Sequence, residues 1–231
     1  MRTLKKRVAK PVRRQARKKV FIVEDHPVFR EGLVQMINQE PDLEVCGKAG
    51  DAEGAYQEII RLKPDLVLVD ISLPGKNGLV LIKELRKVNR QVKLLVVSMH
   101  DEALYADRVL RAGGDGYIMK QEDPEEVVEA IRDVLAGHIY VSEEVLASKA
   151  HPQKKTREPV TERPLDSLTD AQLEVLELLG LGKEQTQIAR SLKCTPRAVG
   201  AQLERIRASL KLKTAHELIR YAVCWVETGK A

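Results

Sequence analysis

The sequence predicts a doubly wound α/β domain with a five-stranded parallel sheet, followed by a small all-α domain of four helices. In residues 20–148, short apolar runs alternate with amphipathic segments, which is typical of parallel strands joined by right-handed helical crossovers. In residues 166–231 only amphipathic segments remain. Residues 149–165 hold Pro among Lys, Arg, Gln and Thr, the composition of a linker. A chain of 231 residues is long enough for two separate cores.

The clearest strand is the third, Leu66 to Asp70, where four consecutive apolar residues end in one carboxylate. A continuous apolar run of this length fits a strand that is covered on both faces, as in a parallel sheet. The breaker-rich loop Ile71–Gly75 follows it. The other predicted strands are also short and largely apolar: Val20–Glu24, Leu43–Ala49, Lys93–Ser98 and Asp115–Met119.

Helix boundaries in the first domain follow from Pro, Gly and capping residues. Pro27 opens the first helix, Asp51 caps the second, Pro64 ends it, and Gly137 closes the fifth. The predicted helices are Val28–Asn38, a second between Asp51 and Pro64 with Ala55, Ile59 and Ile60 on one face, Asn77–Val88, Glu102–Ala112 and Pro124–Ala136.

The natural strand order for this pattern is 2-1-3-4-5, the flavodoxin-like arrangement, in which strands one and three are neighbours. The carboxyl ends of strands one, three, four and five then meet at one edge of the sheet, where open α/β sheets bind their ligands. That edge would carry three carboxylates, a hydroxyl and a lysine: Glu24, Asp25, Asp70, Ser98 and Lys120.

Three carboxylates at one edge repel one another, and a hard divalent cation with oxygen ligands removes that cost, so Mg²⁺ is the predicted cofactor. Lys120 adds a point charge that can follow an anion, and Ser98 adds a hydroxyl. Together these groups describe a pocket for a phosphoryl group beside Mg²⁺. Asp70 is the candidate nucleophile, because it stands alone on the central strand and aspartyl phosphates are established covalent forms.

Residues 20–140 resemble a response-regulator receiver domain. The resemblance is carried by Val-Glu-Asp-His-Pro at 23–27, Leu-Val-Asp-Ile-Ser-Leu-Pro-Gly-Lys-Asn-Gly at 68–78, Val-Ser-Met-His at 97–100 and Gly-Tyr-Ile-Met-Lys at 116–120. It implies that a sensor histidine kinase donates a phosphoryl group to the candidate nucleophile. It also implies individual roles: Asp25, Asp70 and the backbone carbonyl of Ser72 bind Mg²⁺ with help from Glu24, Lys120 and Ser98 hold phosphoryl oxygens, and Tyr117 swings inward when Ser98 moves.

Simpler explanations exist for some of these residues. Lys120 could merely pair with Asp25 and hold two strand ends together. A Ser at a strand end and a half-buried Tyr are ordinary features. His26 and His100 are expected to cap or pack, because their neighbours do not form a His/Cys cluster.

Residues 185–206 have the spacing of two short helices joined at Lys193-Cys194, with Thr195 as N-cap and Pro196 at the first helical position. A helix-turn-helix would place its second helix in the major groove of DNA. By pattern alone a helical protein-interaction module is the better explanation, because helix pairs are common. The predicted helices run over Thr169–Leu181, Glu184–Leu192, Pro196–Leu210 and Thr214–Val226, with a core stripe of Ile188, Ala189, Leu192, Val199, Leu203 and Ile206.

The second domain resembles the LuxR-type helix-turn-helix, so the chain from residue 20 onward is similar to a NarL/FixJ-type regulator. Five segments carry this resemblance: Leu168-Thr169, Glu174-Val175-Leu176, Ile188-Ala189, Val199 to Leu210 and Glu217-Leu218. It implies binding to double-stranded promoter DNA as a homodimer. The last helix would help to pair two output domains, with Tyr221, Cys224 and Trp225 in its apolar stripe.

The recognition helix departs from the family pattern. Gly200 stands where the family usually has Lys, Ala201 and Gln202 follow it, and Ser209 replaces another usual Lys. The remaining candidate DNA contacts are Arg197, Gln202, Arg205 and Lys211, with Lys213 beyond them.

The favoured interpretation is a phosphorylation-switched transcription factor in the cytoplasm, not an enzyme. One alternative is a receiver whose helical output domain binds protein instead of DNA, as the missing basic residues would allow. Another is a Mg²⁺-dependent phosphohydrolase, but such enzymes need a second acid two residues after the nucleophile, where this chain has Ser72.

Charge is distributed very unevenly along the chain. Residues 1–19 carry ten Lys or Arg and no acid, whereas residues 20–148 carry a net charge of −10. The basic arm could be solvated and disordered, could contact DNA phosphates, or could come from a start codon assigned too far upstream.

We expect buried free thiols at Cys46, Cys194 and Cys224, which lack a C-x-x-C pair. No apolar run approaches the ~20 residues of a membrane span.

Overall fold

The computed structural model describes residues 16–100, 102–143, 145–146 and 164–228. Most of the basic arm and nearly all of the predicted linker, 149–165, lie outside these ranges. The strands are β1 (Lys18–Val23), β2 (Leu43–Ala49), β3 (Leu66–Val69), β4 (Lys93–Ser98) and β5 (Gly116–Met119). They form one parallel sheet in the order β2-β1-β3-β4-β5, which confirms the predicted topology.

The sheet begins earlier than the apolar pattern indicates, because the lysines that precede Val20 are part of β1. The backbone N–H of Lys18 donates to the carbonyl of Asp42 at 2.8 Å, and that of Lys19 donates to the side chain of Asp65. These bonds extend the strand into the segment assigned to the basic arm.

Five helices cover the two faces of the sheet: α1 (Pro27–Gln39), α2 (Ala52–Leu62), α3 (Gly78–Val88), α4 (Glu102–Ala112) and α5 (Pro124–Ala136). Successive strand residues point to opposite faces. In β1, Phe21 and Val23 therefore pack in one core with α2, α3 and α4, while Val20 and Ile22 pack in the other with α1 and α5. The sheet is thus doubly wound, as predicted.

The C-terminal part contains a short 3₁₀ helix, Pro164–Ser167, and then α6 (Asp170–Gly180), α7 (Gln185–Ser191), α8 (Pro196–Ser209) and α9 (Ala215–Thr228). Thr195 caps α8 by accepting from the N–H of Ala198 at 3.2 Å, as the sequence predicts. The predicted core stripe is buried at Ile188, Ala189, Val199 and Ile206 and half-buried at Leu192 and Leu203. No helix among the described residues is long and apolar enough to cross a membrane.

Several residues that the sequence places in the core are exposed or only half-buried. Ile60 lies at the surface because it follows Ile59 by one residue, which turns it about 100° away from the buried stripe of α2. Cys224 is exposed beside buried Trp225 for the same reason. Of the other cysteines, Cys194 is exposed and Cys46 is half-buried, so the prediction of buried thiols is wrong.

Candidate functional site

The register of the central strands places the first two carboxylates side by side. Val23 pairs with Val69, and the N–H of Asp70 donates to the carbonyl of Val23 at 2.9 Å, so Glu24 and Asp70 leave adjacent strands together. Lys120, just after β5, reaches across: its Nζ lies 2.8 Å from Oδ2 of Asp70 and 2.6 Å from Oε2 of Glu24. The structure therefore brings the predicted lysine to these two acids and not to Asp25.

The lysine and its two acids are enclosed. The exposed fractions of their side chains are 6% for Lys120, 3% for Asp70 and 2% for Glu24. Burial disfavours the charge of Lys120, but the charges of Asp70 and Glu24 and their hydrogen bonds outweigh it and raise its pKa. The Nζ atom also lies 4.9 Å from the ring centroid of Phe29. Lys120 is thus a buried cation at the centre of the site.

Asp25 completes a group of possible metal ligands. One ligand atom from each of Glu24, Asp25, His26 and Asp70 lies within 4.8 Å of the others. Oδ1 of Asp25 is buried and accepts no hydrogen bond of good geometry within the described part of the chain, although Nδ1 of His26 lies 2.9 Å away. Carboxylate oxygens are the ligands that Mg²⁺ prefers, so this set of donors fits the predicted ion.

His26 occupies the N-cap position of α1, but its side chain makes no capping bond. Its ring instead lies 3.1 Å from Oε1 of Glu24, and its backbone N–H donates to the same oxygen at 3.0 Å. His26 therefore helps to orient Glu24, a contact that sequence spacing did not suggest.

Ser98 and Tyr117 meet beside the acids, inside the protein. Ser98 is fully buried, and its carbonyl accepts from the N–H of Lys120 at 2.9 Å. The Tyr117 hydroxyl donates to the carbonyl of His100 at 2.7 Å, and burial raises the pKa of that phenol. The predicted switch residues are thus adjacent to the site, with the ring of Tyr117 on the inside.

Ser72 faces the site through the loop after β3. Its N–H lies 3.4 Å from Oδ1 of Asp70, and its Oγ hydrogen-bonds to Nε2 of His100 at 2.7 Å. The ring of His100 stacks on Tyr105, with centroids 4.6 Å apart. The sequence correctly predicts packing for His100, but the link from Ser72 to this ring was not predicted.

The output domain also reaches this site. Nδ1 of His100 lies 2.6 Å from Oε2 of Glu177 on α6, and Nδ2 of Asn77 donates to Oε2 of Glu174 at 3.1 Å. Burial raises the pKa of Glu174 to about 7, against the opposing effects of Asn77 and His100. No local sequence pattern could have found these residues, because more than 70 positions separate the partners.

The candidate DNA-contacting residues differ in their exposure. Arg197, Arg205 and Lys211 are exposed. Gln202 is half-buried and lines a cleft of about 310 Å³ between α8 and the loop after Leu73. Part of the second helix of the pair thus faces the first domain.

The departure at Gly200 has a local structural reason. A Cβ atom at this position would lie 2.8 Å from Nε2 of Gln185. That nitrogen donates to the carbonyl of Pro196 at 2.5 Å and so joins α7 to α8. Gly200 leaves the space that this bridge occupies.

The fold and the site are those of a receiver domain, which is followed by a helix-turn-helix domain. Residues 20–132 match the response regulator receiver domain, and residues 166–222 match the bacterial regulatory proteins of the luxR family. The chain belongs to the two-component response regulators with a LuxR-type DNA-binding domain, which control transcription.

Two curated relatives support this membership. The oxygen regulatory protein NreC of Staphylococcus haemolyticus is 32% identical over 209 residues, which cover 89% of this chain and 96% of the relative. The nitrate/nitrite response regulator NarL of Escherichia coli is 32% identical over 212 residues, 90% of this chain and 94% of the relative.

Solved structures agree on the fold. An RcsB response regulator structure from Salmonella typhimurium superposes with a TM-score of 0.66 at 21% identity and covers 90% of this chain and 98% of that chain. A LuxR-family response regulator from Aurantimonas sp. SI85-9A1 gives a TM-score of 0.55 at 32% identity, with 59% of this chain and 97% of that chain covered.

Proposed function

We propose that Asp70 accepts a phosphoryl group from a phosphohistidine of a sensor histidine kinase, and that this transfer controls promoter binding by the helix-turn-helix domain. The observation that carries the proposal is the position of Lys120 between Asp70 and Glu24, at the strand ends where Asp25 also lies. The proposed domains are residues 20–148 and 166–231, joined by 149–165.

In the transfer, a carboxylate oxygen of Asp70 attacks phosphorus while the bond from phosphorus to the donor nitrogen breaks. Lys120 already contacts this carboxylate and can move to a phosphoryl oxygen without leaving the site. Asp25 and Asp70, with Glu24 and the backbone carbonyl of Ser72, would hold Mg²⁺, which supplies the positive charge that one lysine cannot.

The product carries about −1.5 to −2 charge where a single carboxylate stood. Ser98 lines the same cavity as Asp70 and Lys120, so its hydroxyl is the candidate to bind a phosphoryl oxygen, and Tyr117 interacts with it. A shift of these two residues in response to the new charge would change the receiver surface that contacts the output domain.

The partners of the output domain are double-stranded promoter DNA and a second copy of the chain. An RcsB structure from Salmonella enterica is described as bound to promoter rprA in the presence of phosphomimetic BeF3⁻, and it has a TM-score of 0.61 at 22% identity. The exposed Arg197, Arg205 and Lys211 supply cations for phosphates or bases. The protein acts in the cytoplasm as a regulator and not as an enzyme.

A second candidate function is an output domain that binds protein. It is favoured by Gly200, whose space is filled by Gln185, and by Gln202, which faces the receiver. Genome-wide binding of the wild type and of the Asp70→Asn variant separates the two functions, because only the DNA-binding protein enriches specific promoters.

The phosphorylation step is tested with Asp70→Asn and acetyl phosphate in the presence of Mg²⁺. We expect the fold to stay intact and labelling to disappear. Asp65→Asn is the matched control, because Asp65 lies at the opposite end of the same strand and pairs with Lys18. Equal labelling of the wild type and Asp70→Asn would exclude Asp70 as the acceptor.

A further inference from the structure

The phosphorylation site lies in a cavity shared by the two domains. The cavity has a volume of about 340 Å³. The receiver supplies Asp70, Ser98 and Lys120, and helices α6 and α7 supply the opposite wall with residues that include Glu174, Leu178 and Ser191. Asp70 is therefore not only enclosed by its own strands but also covered by the output domain.

Polar contacts hold this wall in place. Glu174 and Glu177 of α6 contact Asn77 and His100 of the receiver, as described above. Arg108 on α4 adds a third contact, at the N-terminal end of α6.

Arg108 is the most connected of these residues. Its guanidinium donates to the carbonyls of Leu165 and Leu168 at 2.9 Å and to Oδ1 of Asp170 at 3.0 Å. Lys83 reaches the other carboxylate oxygen of Asp170 at 3.1 Å. Two receiver helices thus bind the start of α6 through residues that do not line the cavity around Asp70.

The walls of the cavity separate two classes of phosphoryl donor. The cavity volume of about 340 Å³ leaves room for a small acyl phosphate. A phosphohistidine carried on a protein helix needs more space beside Asp70, because a helix with its side chains is about 10–12 Å across. In the closed protein α6 and the end of α7 form the opposite wall of the cavity and occupy that space.

We infer that the docked output domain selects the donor: small phosphoryl donors load Asp70 in the closed protein, whereas a protein phosphohistidine reaches it only after α6 leaves the receiver. This inference rests on the proposed role of Asp70 as the phosphoryl acceptor. The observations that carry it are the shared cavity and the contacts of Arg108, Asn77 and His100 with α6.

The size of the effect follows from the fraction of open molecules. A partner that engages only the open form has its apparent affinity reduced by that fraction, whereas a donor that enters the closed form is unaffected. A substitution that destabilises the closed form should therefore increase the rate of transfer from the protein donor and leave the rate of labelling by the small donor unchanged. In a molecule fixed in the closed form, transfer from the protein donor should slow, and labelling by the small donor should again be unchanged.

The first experiment opens the interface with Arg108→Ala in the full-length chain. Arg111→Ala is the matched control, because Arg111 lies one turn further along α4, is 78% exposed and pairs only with Asp107 of the same helix among the contacts that the structure describes. Each protein is labelled with acetyl phosphate and with the ³²P-phosphohistidine form of a purified sensor-kinase core. Several purified kinase cores are compared, and the one that labels Arg108→Ala fastest is used for all the proteins.

We expect Arg108→Ala to accept phosphoryl groups from the kinase about tenfold faster than wild type, with acetyl phosphate labelling changed less than about twofold. Arg111→Ala should match wild type with both donors. A parallel change with the two donors would overturn the inference, since it would place the effect on the acceptor chemistry and not on access.

A closed form is made by linking Lys76→Cys to Cys194 with a short bismaleimide, in a background of Cys46→Ser and Cys224→Ser. Both positions line the cleft between α8 and the loop after Leu73. The same variant treated with a monofunctional maleimide is the control.

We expect the cross-link to reduce kinase transfer at least about tenfold and to preserve acetyl phosphate labelling. Undiminished kinase transfer to the linked protein would refute donor selection. Absence of labelling by every donor, in the open variant as well, would instead contradict the proposed function, because Asp70 would then not be an acceptor at all.

Discussion

Gly78 packs directly against the backbone of Asp70: a Cβ atom at position 78 would lie 2.0 Å from the Asp70 carbonyl oxygen. Real side chains do not approach a backbone oxygen so closely. The first residue of α3 must therefore be glycine if Asp70 is to keep its place at the end of β3.

Gly78→Ala is expected to displace Asp70 and to destabilise the protein by about 2 kcal/mol, the usual cost of overpacking. Acetyl phosphate labelling should slow, because the carboxylate moves relative to Lys120. Gly32→Ala is the control: it lies in a helix, and its Cβ would have no neighbour within 4 Å, so stability should rise by about 0.5–1 kcal/mol. Urea unfolding and labelling rates are the measurements, and an unaltered Gly78→Ala protein would contradict the packing argument.

Lys120→Met removes the cation that Asp70 and Glu24 share. Because it leaves two enclosed carboxylates without a cation between them, we expect a loss of about 3 kcal/mol in the free energy of unfolding. Added Mg²⁺ should restore more stability to this variant than to the wild type, since an ion that binds only the folded state stabilises it.

The measurement is urea unfolding with and without MgCl₂. Lys76→Met serves as control, because Lys76 is exposed and pairs only with Glu84 among the described contacts. If Mg²⁺ stabilises both variants equally, the acids around Lys120 are not the magnesium site.

Glu174 is expected to make domain closure depend on pH. Burial raises its pKa to about 7 in the closed form, against a value of 4.5 when exposed. The closed form therefore binds more protons, so closure is strongest at low pH and weakens as pH rises through about 7. His100 acts in the same direction, because Glu177 holds its pKa above the usual value despite burial. The charged or titratable groups that act on Glu174 or respond to it are Asp70, His100, Tyr105 and Glu177.

From about pH 8 to about pH 6, the equilibrium between closed and open forms should shift roughly tenfold toward closed. Fluorescence energy transfer between dyes on the two domains measures this shift. Glu174→Gln is the matched variant, and it should retain only the smaller dependence due to His100. The same pH response in wild type and Glu174→Gln would rule out a role for this carboxyl group.

The basic arm is expected to add sequence-independent phosphate contacts to DNA binding. Deleting residues 1–15 removes seven Lys or Arg. The slope of log K against log salt should then become less negative by about 0.9 for each phosphate that the arm neutralises in the full-length protein. Mobility-shift titrations with the full-length and shortened proteins give the two slopes. Equal slopes would show that the arm does not contact DNA.

Much of the fold could be predicted from the sequence because strand and helix signals are local. Leu66 to Val69 must be buried on both faces, and Pro27, Asp51 and Gly137 mark helix ends that the structure reproduces. The start of β1 was missed because Lys18 and Lys19 are charged. Their strand character comes from backbone partners at Asp42 and Asp65, which only the folded sheet supplies.

The candidate site was predictable for a related reason. In a parallel sheet, strand ends meet at one edge whatever the loops do, so Glu24, Asp70 and Lys120 could be placed together before any distance was known. The contacts of Glu174 and Glu177 could not be predicted from the sequence, because they depend on how the two domains dock. Gly78 directly follows the capping residue Asn77, which is only a weak indication of its role. The need for glycine comes from its close contact with the backbone of Asp70, which the sequence does not show.

The six-residue strand β1 separates Lys18, the first residue of the sheet, from the proposed phosphorylation site, since the acids begin at Glu24. This strand spans about 20 Å, more than twice the distance of about 8 Å over which physiological salt screens charges. A charge added at Asp70 would therefore not be felt at Lys18, and any DNA contact made by this lysine would be constitutive. Such a contact would set a background occupancy of chromosomal DNA that the kinase signal cannot turn off.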